Sequence, residues 1–286
     1  MTKKVVITGG SGKLGHYVSE NLSENHYAVW SLDRIKPDYS GTAFRQVDLT
    51  DYGAVFAGIH GADIVVHLAA DPRPDVDHQS AAQRFHNNML STYNVFNAAL
   101  ALGMERIIWA SSETVFGYPF VINPPDYFPL DDAHACRPTS GYALAKVLGE
   151  NMSTHLHNSS KIPIIGLRLS NLILPDQYRN LLPRLHADPA IRKINLWSYI
   201  DIRDAAESVR LAIESDYQGV TSMLIAAKDT IMPEPTLQLT DEYFCDMHFK
   251  HHIDTFESLL NCQLAYDLIG FKAKYSWRDS PSDSSL

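Results

Sequence analysis

Thr8–Gly15 reads TGGSGKLG, and its setting constrains the fold more than any other segment. Ahead of it, Lys3–Thr8 (KKVVIT) is a short β-branched run that stops at glycines and reads as a buried strand. Behind it, Lys13–Asn25 has helical spacing, with Leu14, Val18 and Leu22 on one stripe. Glycines at 9, 12 and 15 in a strand-to-helix turn serve three ends: a tight turn, close approach of backbone to a pyrophosphate, and close packing of helix on strand. The helix N-terminus adds N–H groups and partial positive charge for the phosphates. An ordinary turn is also rich in glycine, but a strand on one side and a helix on the other are what the phosphate-binding reading requires. Gly9, Ser11, Gly12, Lys13, Leu14 and Gly15 are therefore candidate dinucleotide contacts.

The rest of the chain supports such a core. Tyr27–Leu32, Phe44–Val47, Asp63–Leu68, Arg106–Ser111 and Pro163–Leu169 read as strands. A helix from about Asp51 and helices over Ser80–Leu102 and Thr139–His157 alternate with them. This alternation predicts an α/β, Rossmann-type, doubly wound parallel sheet with a small C-terminal substrate-binding cap. The pattern loosens over Leu174–Ile194, which holds Pro175, Pro183 and Pro189. Strands over Asn195–Ile200 and Thr221–Ala226 then flank a helix over Arg203–Glu214, with short helical pieces after Lys228. The expected division is a core of 1–170 plus 196–227 and a cap of 171–195 plus 228–280, with 281–286 a frayed polar tail.

Composition excludes several classes. With 45% hydrophobic and 20% charged residues, the chain is neither disordered nor fibrous. A net charge of −9 argues against a nucleic-acid backbone or an anionic membrane as partner. Cys136, Cys245 and Cys262 are sparse, odd in number and without a CxxC pair, which reads as reduced thiols in the cytoplasm. No signal peptide or membrane-length apolar run is visible. The histidine cluster His248, His251 and His252 has no metal-ligand frame around it, so no metal is expected.

Asp33 ends the second strand, 18 residues after Gly15. A carboxylate there accepts both hydroxyls of an adenine ribose and repels a 2′-phosphate, which favours NAD over NADP. Arg34 beside it is able to hold a 2′-phosphate and pulls the other way. Asp48 and Leu49 follow the third strand, where an adenine pocket would form.

Tyr142 and Lys146 lie four apart on a predicted helix and share a face. A free phenol, with a pKa near 10, is a poor base at neutral pH; a neighbouring ammonium would bring it down. YxxxK alone also describes a half-buried aromatic beside a surface lysine. Ser111 and Ser112 end the fifth strand at its carboxyl edge, where open α/β sheets bind ligands, and they suit either a substrate oxygen or a turn. The order of glycine loop, acidic strand end, serines and tyrosine–lysine helix favours catalysis.

These residues resemble an extended short-chain dehydrogenase/reductase of the NAD-dependent epimerase/dehydratase group. The resemblance covers residues 1 to about 215 and rests on TGGSGKLG, HLAA (His67–Ala70), NMLST (Asn88–Thr92), SSETVFG (Ser111–Gly117), YALAK and LRLSN (Leu167–Asn171). It implies NAD as cofactor, Ser112 as ligand of the substrate oxygen, Tyr142 as acid/base and Lys146 as its electrostatic partner. It also implies Leu68, Ala69, Ala70 and Asn88 beside the cofactor, with Asn88 a support for the site, and a homodimer seam made by the two long helices. Phe116 stands where the family has tyrosine, and NLILP (Asn171–Pro175) replaces N-x-Y-G-P.

Only 115 residues follow Asn171, fewer than members acting on nucleotide sugars usually carry. The short form is similar to dehydrogenases of uronates and of free or phosphorylated sugars, which share a Tyr–Arg step here occupied by Tyr178–Arg179. Arg179 is either a fork for a substrate carboxylate or phosphate, or a surface arginine. Glu113 is either a second acid near the sugar or a loop cap, and Asn171 is a further candidate substrate contact. The expected reaction is NAD-dependent oxidation of a hydroxyl of a sugar or sugar acid. The alternatives are a nucleotide-sugar epimerase or dehydratase, and a non-catalytic NAD-binding regulator.

Overall fold

A computed structural model of the chain describes residues 2–37, 42–73, 75–120, 122–244 and 246–279. The expected tail 281–286 and Cys245 lie outside the described residues. The strands are β1 (Lys4–Thr8), β2 (Ala28–Asp33), β3 (Ala43–Gln46), β4 (Ile64–His67), β5 (Arg106–Ser112), β6 (Ile164–Leu169), β7 (Leu172–Ile173), β8 (Ile200–Asp201) and β9 (Val220–Ile225). The helices are α1 (Lys13–Glu24), α2 (Tyr52–Ile59), α3 (His78–Ala101), α4 (Gly141–Ser160), α5 (Tyr178–His186), α6 (Ile202–Glu214), α7 (Thr236–Tyr243) and α8 (Gln263–Ile269).

Seven strands form one parallel sheet in the order β3-β2-β1-β4-β5-β6-β9. Side chains alternate between its faces, so near-continuous apolar strands need helices on both. Val5, Ile7, Ile64, Val66 and Ile108 pack towards α1 and α6, while Val6, Val65, Ile107 and Trp109 pack towards α2 and α3. Each fully buried Val or Ile contributes roughly 1.5–3 kcal/mol. The chain order turns around between β1 and β4, which opens a crevice at the carboxyl ends of these strands.

Three segments depart from the sequence reading. The strand expected over Asn195–Ile200 is a 3₁₀ turn at Lys193–Asn195 followed by Leu196 and Trp197 at φ 59° and 52°. No strand passes through such backbone; the strain, about 1–3 kcal/mol per residue, is offset by complete burial of both side chains. Only Ile200–Asp201 remains extended, paired with β7. The cap cluster also draws Val115, Phe116, Phe120, Phe128 and Leu130 from the chain after β5, which the expected division assigned to the core. Conversely, Ala265, Ile269 and Phe271, expected in the cap, pack into the core cluster beside α6.

Candidate active site

The glycine loop is bare because nothing else fits. Gly9 has φ +75°, and a Cβ there would stand 2.6 Å from the Ala69 nitrogen. A Cβ on Gly15 would meet the Gly9 carbonyl at 2.3 Å, so this glycine brings α1 against the loop. A cavity of about 170 Å³ opens beside the loop, lined by Gly9, Gly12, Asp33, Arg34, Asp48, Leu49, Leu68, Ala69 and Ala70 among others. Asp33 receives the backbone N–H groups of Ser11 at 3.2 Å and Arg34 at 2.7 Å, which fixes its carboxylate at the rim. Asp48 is held below the usual carboxylate range by hydrogen bonds from the Thr50 backbone and hydroxyl. The tight loop, the bare glycines and the rim carboxylate fit the adenosine and pyrophosphate of a dinucleotide.

Three predicted loop and helix contacts do not line this cavity. Ser11 gives its hydroxyl to the Ile35 carbonyl at 2.5 Å, and Lys13 is exposed; neither lines the cavity. Asn88 is buried, exchanging hydrogen bonds with the Asp71 backbone at 2.9 and 3.1 Å, and so braces the loop after β4. Its helix presents Asn87 and Ser91 to the cavity instead, since residues four apart share a face and a neighbour is turned away.

A second cavity, of about 710 Å³, shares Leu68 and Ala70 with the first and continues past Leu14, Ala110, Ser112, Tyr142 and Lys146. The Tyr142 hydroxyl faces Ser112, whose hydroxyl favours the ionised phenol. Ser112 accepts from the Thr114 backbone at 3.2 Å and the Thr114 hydroxyl at 3.0 Å. Successive strand residues point to opposite faces, so Ser111 turns away and donates to Glu150 Oε1 at 2.6 Å. Its hydroxyl is engaged there, while the residue also lines the second cavity. Glu150 is in turn gripped by Arg168, at 3.0 and 2.8 Å.

Lys146 is buried and donates to the Ala110 carbonyl at 2.5 Å. Burial lowers its pKa to about 8, against the pull of Glu150. Tyr142 differs from expectation: burial pushes its phenol up to about 12, outweighing the Ser112 hydroxyl, and Glu113 adds to the rise. The lysine does not bring the phenol down in the protein alone. His67 bridges Thr8 and Thr92 at 2.7 and 3.1 Å, with its pKa lowered to about 3 by burial and then by the Lys146 charge. It is a neutral strut of the site floor.

The substrate side of the cleft is lined by Glu113, Tyr118, Asn171, Arg192 and Asn195. Glu113 is buried; it accepts from Ser198 Oγ at 2.8 Å and Asn195 Nδ2 at 3.3 Å, and burial raises its pKa. Arg179 is exposed on α5 and does not line the cavity. Tyr178 takes the inward place, bonding Asp201 at 3.1 Å, and the next residue on a helix is carried about 100° away. Two residues escaped the sequence reading. Arg192 came from an irregular stretch with no local signal. Asp75 binds the Gly141 backbone N–H at 2.9 Å and pairs with Arg84, which anchors the start of the helix carrying Tyr142. A larger shallow groove of about 1010 Å³ lies along 226–229 and 251–279, with none of the glycine-loop, serine, tyrosine or lysine site residues in its lining. Among the described residues, no helix is long and apolar enough to cross a membrane.

A profile of the NAD dependent epimerase/dehydratase family matches residues 5–226. The chain is 27% identical over 232 residues to an NAD-dependent glucose-6-phosphate dehydrogenase of Haloferax volcanii, covering 76% of this chain and 82% of that protein. It is 26% identical over 236 residues to an L-arabinose 1-dehydrogenase (NAD(P)(+)) of the same organism, covering 79% and 89%. The crystal structure of UDP-glucose 4-epimerase from Brucella ovis in complex with NAD is similar in fold, with a TM-score of 0.73, 19% identity, and 96% and 94% of the two chains covered.

Proposed function

The chain belongs to the NAD-dependent epimerase/dehydratase family, and on that premise we propose that it is an NAD-dependent dehydrogenase oxidising a ring hydroxyl, the anomeric one, of a sugar or sugar acid to a lactone. One observation carries the reading: Ser112 and Tyr142 together line a cavity that continues to the glycine loop through Leu68 and Ala70. The match to most of the length of two sugar dehydrogenases supports oxidation as the net reaction.

Gly9, Gly12 and Asp33 would hold the adenosine and phosphates; NAD, when bound, would supply the hydride acceptor and a positive charge. Tyr142 takes the proton of the substrate hydroxyl, and Ser112 aligns that hydroxyl through its own hydrogen bond. Lys146 adds positive charge in the same buried site, which favours the phenolate form in which Tyr142 accepts that proton. Holding both reactants in one orientation supplies much of the rate.

NADH absorbance with a panel of aldoses, uronates and sugar phosphates tests the reading, with UDP-sugars analysed in parallel for isomers. Accumulation of NADH supports it. Isomerised UDP-sugar without net NADH replaces it with epimerisation, and NAD binding without turnover on the whole panel replaces it with a binding protein. We also read the exposed Tyr93 of α3 and Leu144 and Leu148 of α4 as a homodimer seam. Leu148→Glu is expected to halve the mass seen by light scattering; a monomeric parent chain would remove the seam.

A further inference from the structure

Three cationic side chains line the substrate cavity: Arg73, Lys146 and Arg192. Arg73 is exposed and already forked onto Asp71, at 2.9 and 2.6 Å. Lys146 is held by the Ala110 carbonyl. Arg192 differs from both. It makes one hydrogen bond, from Nη2 to the Ser198 carbonyl at 3.2 Å, and its Nε is buried with no partner. A guanidinium carries five N–H donors and is costly to desolvate without an anion.

The frame around it is rigid. Asn195 Nδ2 donates to the same Ser198 carbonyl at 2.9 Å, and Ser198 Oγ donates to Glu113 Oε2 at 2.8 Å. The turn that presents Arg192 is thus pinned to the end of β5, next to Ser112. Glu113 stands between the two ends of the cleft, since its charge is felt by both Tyr142 and Arg192. Its carboxyl is held by Ser198 and Asn195, and no hydrogen bond joins it to the Arg192 guanidinium, although the two charges act on each other. On a chain of net charge −9, a small anion needs such a local cation.

We propose that Arg192 is the anion-binding residue of the substrate cleft, and that the substrate is a monosaccharide bearing one carboxylate or one phosphate. The proposal rests on the dehydrogenase reading and names its substrate class. Both groups offer the paired oxygens that a guanidinium fork binds. One uncommitted guanidinium matches one oxyanion group; a nucleotide diphosphate would call for more.

The test compares the full chain with Arg192→Gln and Arg192→Lys. D-Glucose, D-glucuronate and D-glucose 6-phosphate, with their galacto counterparts, are assayed for NADH formation. The same sugars and UDP-glucose are titrated by calorimetry into NADH-saturated protein. The expected result is that the parent chain prefers a charged sugar to its neutral counterpart. Arg192→Gln should cut that preference by about 10–100-fold, the loss of a charge-assisted hydrogen bond, and Arg192→Lys should keep part of it. Whether the glucuronate or the 6-phosphate arm responds identifies the anion. Undiminished preference in Arg192→Gln, no charged sugar bound by the parent, or binding of UDP-glucose alone each overturns the proposal. If charged sugars bind through Arg192 but none reduces NAD, the anion site stands and the dehydrogenase reading fails. If sugars are oxidised with the preference intact in Arg192→Gln, the reverse holds.

Discussion

Lys146 gives its ammonium to the Ala110 carbonyl, 2.5 Å away, and stands 5.5 Å from the ring centroid of Tyr142. The pair shares a helix face, but the phenol stays protonated, near 12, in the protein alone. Only the deprotonated phenol accepts a proton, and its fraction falls tenfold for each pH unit below its pKa. Sugar oxidation is therefore expected to accelerate with rising pH, seen as a rising limb in kcat/KM. Tyr142→Phe should lower kcat about 10²–10⁴-fold while NADH fluorescence titration shows nearly unchanged binding. A flat pH profile, or full activity in the variant, removes Tyr142 as the base.

The same lysine costs stability. Its pKa falls from 10.5 to about 8 on folding, so the unfolded chain binds more protons between those values. Stability contributed by this group then rises with pH across that window. At neutral pH the penalty is roughly 3 kcal/mol. Lys146→Met removes it and loses one hydrogen bond, worth about 1 kcal/mol, to a carbonyl that water can reach from the cleft. The variant should be inactive yet melt roughly 3–4 °C higher at pH 7 without nucleotide, with the gain shrinking towards pH 10.5. A lower melting temperature at pH 7 would refute this.

Asp33 bears on the choice of nucleotide. Its carboxylate is fixed by the Ser11 and Arg34 backbone at the cavity rim, with the Arg34 side chain in the same lining. Asp33→Ala is expected to weaken NADH about 10–100-fold, as two charge-assisted bonds to ribose hydroxyls are lost. NADPH should lose less or gain, since repulsion of its 2′-phosphate goes too. Fluorescence titration with both nucleotides checks this, and equal losses would remove the basis for NAD preference.

What was legible in the sequence was local. Gly9 and Gly15 are required by contacts with the loop itself and the next strand's end, and Tyr142 and Lys146 by one helical turn. What escaped depended on tertiary packing. NLWSYI (Asn195–Ile200) has the composition of a strand, yet Leu196 and Trp197 take positive φ because the cap core accepts their side chains. The rotation of α5 decides whether Tyr178 or Arg179 faces inward, and that of α3 decides between Asn87 and Asn88. Both depend on neighbours far along the chain. Arg192 reaches the cleft through the same unforeseen turn, which short-range patterning does not encode.

Glu113 separates two roles that its place beside Ser112 allows. As a proton donor to substrate, it would be needed for turnover. As a buried latch on Ser198 and Asn195, it needs its hydrogen bonds more than its acidity. Its pKa is raised on folding from the ordinary 4.5, so the folded chain binds the extra proton and stability falls as pH rises through the window above that value. Glu113→Gln keeps the shape and removes the titration. The melting temperature of the variant minus that of the parent should be near zero in acid. It should grow with pH from about 4.5 and level off once the parent's carboxyl has ionised in the folded state. The latch role further expects kcat to change by no more than about fivefold, the worth of one neutral hydrogen bond. A loss of about 10²-fold or more in kcat, with no pH-dependent gain in stability, would make Glu113 a proton donor instead.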